Sequence, residues 1–213
     1  MAVQVKICGI TNASDARWAE NLGADYIGLN FSAGSPRKIS ADMGAEITEH
    51  CPPFVKKVGV FVNPTVADLE KIFKKVKLDV IQLHGDESPE LASEIKAKFG
   101  KTLWKAVRVE DDASVQKISG YSGIADLILL DAYVPDQNGG TGKTFNWELV
   151  NRAKEYGIPL AVAGGLNPEN VSDAVKKTSP KVVDAASGIE KDGHPRKKDL
   201  DKMKLFVMNA KKA

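Results

Sequence analysis

The stretch from residue 3 to residue 31, VQVKICGITNASDARWAENLGADYIGLNF, contains one complete repeat of the fold. Its first six residues, Val3–Cys8, alternate apolar with polar side chains, which is typical of a β-strand. Asn12, or the threonine before it, can cap a helix predicted over Ala13–Leu22. A second apolar strand, Tyr26–Phe31, follows after a short turn. A strand, a helix and a strand in this order predict two parallel strands joined by a crossover helix.

The same alternation of strand and helix continues along the rest of the chain. With 213 residues and eight apolar runs, each unit is about 27 residues long, which fits one strand, one helix of three turns and two loops. The predicted strands are Val3–Cys8, Tyr26–Phe31, Val58–Val62, Val80–His84, Leu103–Val107, Leu127–Asp131, Leu160–Ala163 and Val182–Ala185.

Capping residues and prolines predict the helices between these strands. Beyond the first helix, the predicted segments are Ala41–His50, Pro89–Phe99, Glu110–Ser119, Trp147–Tyr156, a helix opened by Asn167-Pro168-Glu169, and Leu200–Ala210. Ser40, Ser88, Asn146 and Asp199 provide the N-caps.

Eight strand–helix units without an obvious linker predict a single-domain α/β fold, a (β/α)8 TIM barrel over residues 1–213. The alternative is an open α/β sheet of six to eight strands. Its dinucleotide-binding version is disfavoured because no GxGxxG follows the first strand. In a closed barrel the reactive groups lie on the loops that follow the strands, so the strand ends are where function is expected.

The composition excludes several classes of protein. Hydrophobic residues make up 43% and charged residues 27%, which is ordinary for a globular protein. A net charge of +2 gives no case for a nucleic-acid partner, and no apolar run is long enough for a membrane span. The sequence starts without a secretory signal, and two cysteines make no disulfide framework, so free thiols and a cytoplasmic location are expected. Neither CxxC nor HExxH occurs, so no metal is expected.

The parity of the first strand determines where its polar residues point. Its apolar residues are expected to face the helices, so Cys8 and Lys6 are predicted to point into the barrel. Lys6 would then need an acidic partner. Cys8 is either a small buried core residue or a thiolate that acts as a base or nucleophile. The positive end of the helix that begins near Asn12 is expected to lower the pKa of this thiol.

Asp131 closes the sixth predicted strand after four apolar residues, Leu127–Leu130. A carboxyl in this position must have a partner or a function, because burying an unpaired charge is costly. Asp131 either caps the following loop or, with a pKa raised by burial, acts as a general acid.

Other side chains at strand ends could have either a functional or a structural role. Arg37 could present its guanidinium fork to a carboxylate or be merely solvated. His84 has inward parity, and a single histidine there is more typical of a hydrogen-bonded structural residue than of a catalyst. Lys105 also has inward parity and needs an acidic partner. Trp104 and Phe61 are predicted to be packing residues.

Glycine-rich segments follow strands six, seven and eight. Gly139–Thr144 is not a nucleotide-binding P-loop, because that pattern needs glycine where Gln137 stands, and a mobile flap over the site is predicted instead. Gly164-Gly165 precedes a predicted helix N-terminus, and Ser187-Gly188 forms another turn of small residues. A phosphate site shared by the seventh and eighth loops recurs in barrels, so these two turns predict one.

Together these segments resemble the phosphoribosylanthranilate isomerase family, and the matches run in order from position 6 to position 190. They are Lys6–Thr11, Ser35–Arg37, Gln82–Gly85, Leu130–Asp131, Gly139–Gly142, Ala163–Leu166, Pro168–Val171 and Ser187–Glu190. The resemblance implies the (β/α)8 fold. It also implies an Amadori rearrangement in tryptophan biosynthesis, from N-(5-phosphoribosyl)anthranilate to 1-(2-carboxyphenylamino)-1-deoxyribulose 5-phosphate, with no metal or redox cofactor.

The same resemblance implies roles for particular residues. Cys8 is similar to the family's general base and Asp131 to its general acid. Arg37 would bind the anthranilate carboxylate, and His84 and Asp184 would also bind the substrate. The residues expected at the phosphate are Gly164, Gly165, Ser187 and Gly188.

Two departures from the family pattern and two alternative functions bear on this hypothesis. Asn146 replaces an aspartate that would also cap a helix, and Ala186 removes one hydroxyl from the phosphate turn. The histidine-pathway aminoaldose isomerase resembles this chain less, because its first-strand base is aspartate where this chain has Cys8. A barrel that only binds a phosphorylated ligand is disfavoured because both Cys8 and Asp131 are present. The chain is expected to be a monomer or a homodimer.

Overall fold

Eight parallel strands close into a barrel in the order β1 to β8, with β8 paired to β1. The structure is a computed structural model that describes residues 2–51, 53–131 and 147–213, with side chains of the last range from residue 148. The strands are β1 Gln4–Cys8, β2 Tyr26–Asn30, β3 Lys56–Phe61, β4 Val80–Leu83, β5 Thr102–Arg108, β6 Leu127–Asp131, β7 Leu160–Ala163 and β8 Val182–Ala185. The predicted barrel and its eight strands are confirmed, and the open-sheet alternative is wrong.

Helices connect the strands on the outside of the barrel. They are α1 Ala13–Asn21, α2 Ala41–Glu49, α3 Val66–Phe73, α4 Pro89–Phe99, α5 Asp112–Gln116, α6 Trp147–Ala153, α7 Val171–Thr178 and α8 Leu200–Lys212. Short 3-10 turns extend α5 and α6. The sequence analysis does not predict α3, although Thr65 and Asp68 form a capping box at its start.

The apolar residues form two layers on either side of the strands. The layer inside the barrel contains Trp104, whose ring meets Tyr26 edge-on at 4.9 Å between centroids. The layer between strands and helices contains Val5, Ile7 and Phe61. Trp104 and Phe61 are therefore packing residues, as predicted, and the parity assigned to the first strand is confirmed. Lys105 follows Trp104 on β5 and so points towards the helices, which means that the inward direction predicted for Lys105 is wrong.

A two-stranded antiparallel hairpin, β9 Glu190–Lys191 and β10 His194–Lys198, follows β8 and is not predicted from the sequence. It lies against the loops after β1 and β2. The carbonyl oxygen of Arg196 accepts a hydrogen bond from the Thr11 hydroxyl at 2.6 Å. The guanidinium of Arg196 donates to the carbonyl oxygens of Pro36 and Lys38, each at 2.9 Å. The hairpin thus connects the loops that follow β1 and β2 at the carboxyl ends of the strands.

Within the three described ranges, no helix combines the length and apolar character needed to cross a membrane.

Candidate active site

A cavity of about 730 Å³ opens at the carboxyl ends of the strands. Predicted site residues from six different strand ends line it, namely Cys8, Arg37, His84, Asp131, Gly164, Gly165, Asp184 and Ser187. The sequence-based expectation that these side chains meet at one face of the barrel is therefore confirmed. An adjoining cavity of about 650 Å³ shares His84 and Asp131, so these two residues lie on the wall between the cavities.

Cys8, at the end of β1, has a buried cation beside it. The Lys6 side chain is 0% exposed, and its Nζ lies 2.8 Å from Asp184 Oδ2. The charge of the same ammonium acts to lower the pKa of the Cys8 thiol. Gly28 on β2 makes room for this arrangement, because a Cβ there would lie 2.6 Å from Cys8 Sγ and 3.1 Å from Lys6 Nζ. The acidic partner that inward parity required for Lys6 is therefore Asp184.

The pKa of the Cys8 thiol is raised rather than lowered, so the sequence-based expectation is wrong on this point. Burial is the largest cause of the rise, and Asp184 adds to it, while Lys6 and Lys198 oppose it. Burial also acts to lower the pKa of Lys6, but Asp184 and then Cys8 outweigh it and raise that pKa.

Asp184 has one oxygen that no described residue satisfies. Oδ2 pairs with Lys6, whereas Oδ1 is buried without a hydrogen-bond partner among the described residues. Asp184 lines the cavity, so a bound hydroxyl group could supply the missing donor. This placement fits the predicted substrate-binding role.

Asp131 ends β6, and its side chain is 25% exposed, so it is less buried than the sequence analysis expects. One carboxylate oxygen, Oδ2, lies 3.2 Å from His84 Nε2. The other ring nitrogen of His84, Nδ1, lies 2.8 Å from Nε2 of Gln82. His84 therefore orients the Asp131 carboxyl through Oδ2, and Asp131 remains accessible from the cavity.

Arg37 makes a bidentate ion pair that the sequence analysis does not anticipate. Its Nε and Nη2 donate to the two carboxylate oxygens of Glu190 at 2.7 and 2.6 Å. Glu190 also accepts from Lys198 Nζ at 3.0 Å. The hydrogen bonds that Arg37 donates to Glu190 raise the pKa of Arg37, whereas burial lowers the pKa of Lys198 even though Glu190 acts to raise it. Because a guanidinium has five N–H donors, three remain beyond the pair with Glu190.

The predicted phosphate turns contribute Gly164, Gly165 and Ser187 to the cavity lining. Gly164 and Gly165 both have positive φ, at 86° and 68°, which only glycine adopts without strain. Gly188 does not line the cavity. It packs against the seventh loop, where an added Cβ would lie 2.1 Å from the carbonyl oxygen of Leu166. The seventh and eighth loops therefore touch, with Ser187 at the cavity wall.

Helix α7 begins at Val171, four residues later than the sequence analysis expects. The side chains of Asn167 and Asn170 occupy the preceding turn. Asn167 Oδ1 accepts the backbone N–H groups of residues 169 and 170, and Asn170 Oδ1 accepts that of residue 167. These three backbone N–H groups are therefore used within the turn, and the Gly164-Gly165 turn remains an anion-binding candidate.

Several site residues are missed by sequence reasoning. Glu190 and Lys198 come from the unpredicted hairpin, where they pair with each other, and Arg37, the second partner of Glu190, is more than 150 positions earlier. Gln82 has inward parity on β4, but nothing in the sequence pairs it with the ring of His84. The proposed flap, Gly139–Thr144, and the Asn146 cap lie outside the described residues. In the parts of the chain that the structure describes, no cluster of three or more His, Cys, Asp or Glu side chains could hold a metal ion.

The fold and this cavity define a class of protein, a (β/α)8-barrel enzyme whose ionisable groups meet beside a glycine turn at the carboxyl ends of the strands. Comparison with known proteins makes this more specific. The family model described as N-(5'phosphoribosyl)anthranilate (PRA) isomerase matches residues 5–209. The chain therefore belongs to the N-(5'-phosphoribosyl)anthranilate isomerase family.

Individual relatives agree over nearly the whole chain. The N-(5'-phosphoribosyl)anthranilate isomerase of Ruegeria sp. (strain TM1040) is 42% identical over 96% of both chains. A crystal structure of a phosphoribosylanthranilate isomerase in complex with reduced 1-(o-carboxyphenylamino)-1-deoxyribulose 5-phosphate has a TM-score of 0.87 and 37% identity, covering 99% of this chain and all of that one. A crystal structure of mutually generated monomers of the dimeric phosphoribosylanthranilate isomerase from Thermotoga maritima has a TM-score of 0.85 and 38% identity, covering 99% of this chain and all of that one.

Proposed function

We propose that this chain isomerises N-(5'-phosphoribosyl)anthranilate to 1-(2-carboxyphenylamino)-1-deoxyribulose 5-phosphate, with Cys8 as the general base and Asp131 as the general acid. Membership of the isomerase family supports the reaction. One observation supports the two roles: Cys8 and Asp131 line the same cavity of about 730 Å³ together with the Gly164-Gly165 turn. An acid, a base and an anion-binding turn are the groups that this rearrangement requires.

The first step opens the ribose ring. Asp131 gives its proton to the ring oxygen, the bond from that oxygen to C1' breaks, and the amine nitrogen supplies the electron pair that forms the C1' iminium. Asp131 is left as a carboxylate that faces His84 Nε2 at 3.2 Å. Charge develops on Asp131 during this transfer, so hydrogen bonding at Oδ2 favours the step.

The second step removes the proton from C2'. The iminium makes this proton acidic, and the Cys8 thiolate takes it, so the C2'–H electron pair forms the C1'=C2' bond of a neutral enol-amine. The enol then tautomerises: its hydroxyl proton leaves, C1' gains a proton, and C2' becomes the ketone. The Lys6 ammonium beside the sulfur favours the thiolate. The sequence of steps is redox-neutral, so the chemistry itself calls for no cofactor.

The remaining cavity residues fit the ends of the substrate. We propose that Arg37 binds the anthranilate carboxylate with the donors that Glu190 does not use. Gly164, Gly165 and Ser187, which line the cavity, are proposed to hold the phosphate, and Gly188 to let the eighth loop pack closely against the seventh. Asp184 and His84 are proposed to contact the sugar and the substrate near the acid.

Substitution of the two proposed catalytic residues tests these roles. Cys8→Ser and Asp131→Asn should each lower kcat by about 10²–10⁴-fold, because each removes one proton-transfer group. The measurement is the loss of substrate fluorescence, and inorganic phosphate affinity should stay within about twofold. Normal turnover in either variant would refute the role of that residue.

A third variant separates binding from chemistry. Gly164→Val should mainly weaken substrate binding, because a branched side chain would crowd the anion at a position with φ of 86°. Unchanged substrate affinity would count against the phosphate assignment. Binding without turnover in the wild-type chain would favour the alternative function, a barrel that only binds a phosphorylated ligand.

We further propose a single domain over residues 1–213 that acts in the cytoplasm, as a monomer or a homodimer, without a nucleic-acid partner. The free thiols of Cys8 and Cys51 support a reducing compartment. The Thermotoga maritima relative is described as dimeric, which supports the homodimer. Light scattering of the purified chain and fractionation of cells that produce it test the assembly and the location.

A further inference from the structure

Gln82 is a buried polar residue that touches a site residue without lining the site. Its side chain on β4 is 1% exposed and points into the barrel, and it contributes to neither of the two cavities. Its Nε2 lies 2.8 Å from His84 Nδ1, whereas its Oε1 is buried without a partner among the described residues. A buried carboxamide with one orphaned atom is unusual and calls for an explanation.

The contact continues through the imidazole to the proposed acid. The second ring nitrogen of His84, Nε2, lies 3.2 Å from Asp131 Oδ2. His84 and Asp131 line the cavity, and Gln82 lies behind them. Gln82, His84 and Asp131 thus form a chain of hydrogen bonds that leads from the barrel interior to the cavity wall.

The protons on this chain follow from the chemistry of its members. A neutral imidazole has one N–H donor and one acceptor nitrogen. The group that faces one ring nitrogen therefore determines whether the other nitrogen donates or accepts a hydrogen bond. If Gln82 donates from Nε2, then Nδ1 accepts and Nε2 carries the proton that faces the Asp131 carboxylate. If the carboxamide is turned over, Nδ1 carries the proton and Nε2 faces the carboxylate as a bare lone pair.

The buried surroundings of Gln82 decide between these orientations. Turning the amide over would place its NH₂ group where Oε1 now lies, a buried position at which Oε1 has no hydrogen-bond partner among the described residues. Two buried N–H donors would then need acceptors there, instead of one carbonyl oxygen needing a donor. Orphaned buried N–H groups are rarer than under-satisfied carbonyl oxygens, so the orientation with Nε2 on Nδ1 is favoured.

We infer that Gln82 is a positioning residue that fixes His84 as its neutral Nε2–H tautomer and so gives the proposed acid, Asp131, a permanent hydrogen-bond donor. The catalytic part of this inference rests on the proposed function. When Asp131 transfers its proton, the donor at Nε2 stabilises the carboxylate that forms. The interaction is stronger in the transition state than in the ground state, so it contributes to kcat rather than to substrate binding.

The tautomer of His84 can be measured directly by ¹⁵N NMR on the wild-type chain. The protein has three histidines, and His50 and His194 are exposed, so the ring signals of His84 can be identified by their loss in a His84→Asn sample. We expect the proton on Nε2 at neutral pH. A proton on Nδ1, or a doubly protonated ring, would overturn the inference without any assay of turnover.

Two variants of Gln82 test the consequence for catalysis. Gln82→Glu keeps the shape but replaces the donor with an acceptor, so the proton of His84 should move to Nδ1 or a second proton should bind there. Gln82→Met removes the donor and serves as the matched neutral variant. We expect Gln82→Glu to lower kcat by about 10- to 100-fold, the effect of losing a hydrogen bond to a charged group. KM should stay within about twofold, because Gln82 does not line the cavity.

Thermal unfolding of each variant separates these effects from loss of the fold. A kcat of Gln82→Glu equal to wild type in folded protein would overturn the inference, as would a loss confined to KM. Full turnover in Asp131→Asn would instead overturn the proposed acid role, and the two failures stay distinguishable because the wild-type tautomer is measured without substrate.

Discussion

Two lysines on the barrel strands are buried, and their surroundings differ: Lys6 points into the barrel, whereas Lys105 points towards the surrounding helices. Lys105 on β5 donates to the carboxylate of Glu87 at 2.9 Å and to the carbonyl oxygens of Gly85 and Ala106 at 2.6 and 3.0 Å. Lys6 on β1 pairs with Asp184, whose second oxygen is unsatisfied among the described residues, and its charge acts on the thiol of Cys8.

This difference separates a structural ion pair from a functional one. Glu87 is fully used, because its oxygens also accept the backbone N–H groups of Asn63 and Gly85 at 2.8 to 3.0 Å. A buried polar network that is completely satisfied rigidifies the fold. The pair of Lys6 and Asp184 keeps hydrogen-bonding capacity directed at the cavity, as a site that acts on a ligand should.

The largest effect is expected from Lys105→Met. Glu87 would be left as a buried charge without its cation, which costs about 3–5 kcal/mol of the free energy of unfolding. Urea unfolding measures this loss. The double variant Lys105→Met/Glu87→Gln should recover part of it, and Lys71→Met, at an exposed pair with Asp68, should change stability by only about 0–1 kcal/mol. A Lys105→Met chain as stable as wild type would remove the distinction between the two lysines.

Lys6→Met should act mainly on turnover. Without the ammonium, the thiolate of Cys8 loses its neighbouring cation, and we expect kcat to fall by about 10²-fold, as for loss of one proton-transfer group. Steady-state kinetics on the folded fraction measures this. The matched variant Lys105→Met should retain a larger share of the wild-type kcat, and the reverse ranking would contradict the comparison.

Gly28→Ala tests the space around the sulfur. The added Cβ would lie 2.6 Å from Cys8 Sγ, so either the thiol or β2 must shift, at a cost of about 1–3 kcal/mol. We expect lower stability together with lower kcat. Gly34→Ala is the control for stability, because a Cβ at Gly34 meets nothing within 4 Å and its φ is not in the left-handed region. Equal stability of the two variants would show that Cys8 is not closely confined.

The smallest expected effect is a displacement of the pH profile. Burial raises the pKa of Cys8, so the thiolate is present above that pKa and is lost as the pH falls through it. The kcat/KM should therefore fall about tenfold per pH unit on the acidic side, with a limb above the ordinary thiol value of about 8.5. In Lys6→Met the limb should move further up, because a cation that favours the thiolate is gone. A limb well below the ordinary thiol value would mean that Lys6 and Lys198 outweigh burial.

Local patterns predicted much of the fold and the site. Strand periodicity identified all eight strands, and the same alternation placed Lys6 and Cys8 inside the barrel. The partners could not be predicted, because Asp184 lies 178 positions from Lys6 and only barrel closure brings β8 beside β1. Two further features could have been predicted from the sequence. The capping box of Thr65 and Asp68 indicates the start of α3, and Glu87 is an acidic candidate for the partner of Lys105.

The predicted direction of the shift in the Cys8 pKa was wrong for a physical reason. A helix dipole can be inferred from sequence, whereas the depth of a sulfur atom and the charges around it depend on packing across the barrel. The hairpin of residues 190–198 was missed because its two strands are short and polar, with no apolar alternation to reveal them.

That hairpin follows the whole barrel in the chain, yet it holds an arginine that follows the second strand. The eight barrel strands end at residue 185, and the guanidinium of Arg37 pairs with Glu190, which also accepts a hydrogen bond from Lys198. The side chain of Arg37 therefore depends for its position on a segment that is synthesised after the last barrel strand.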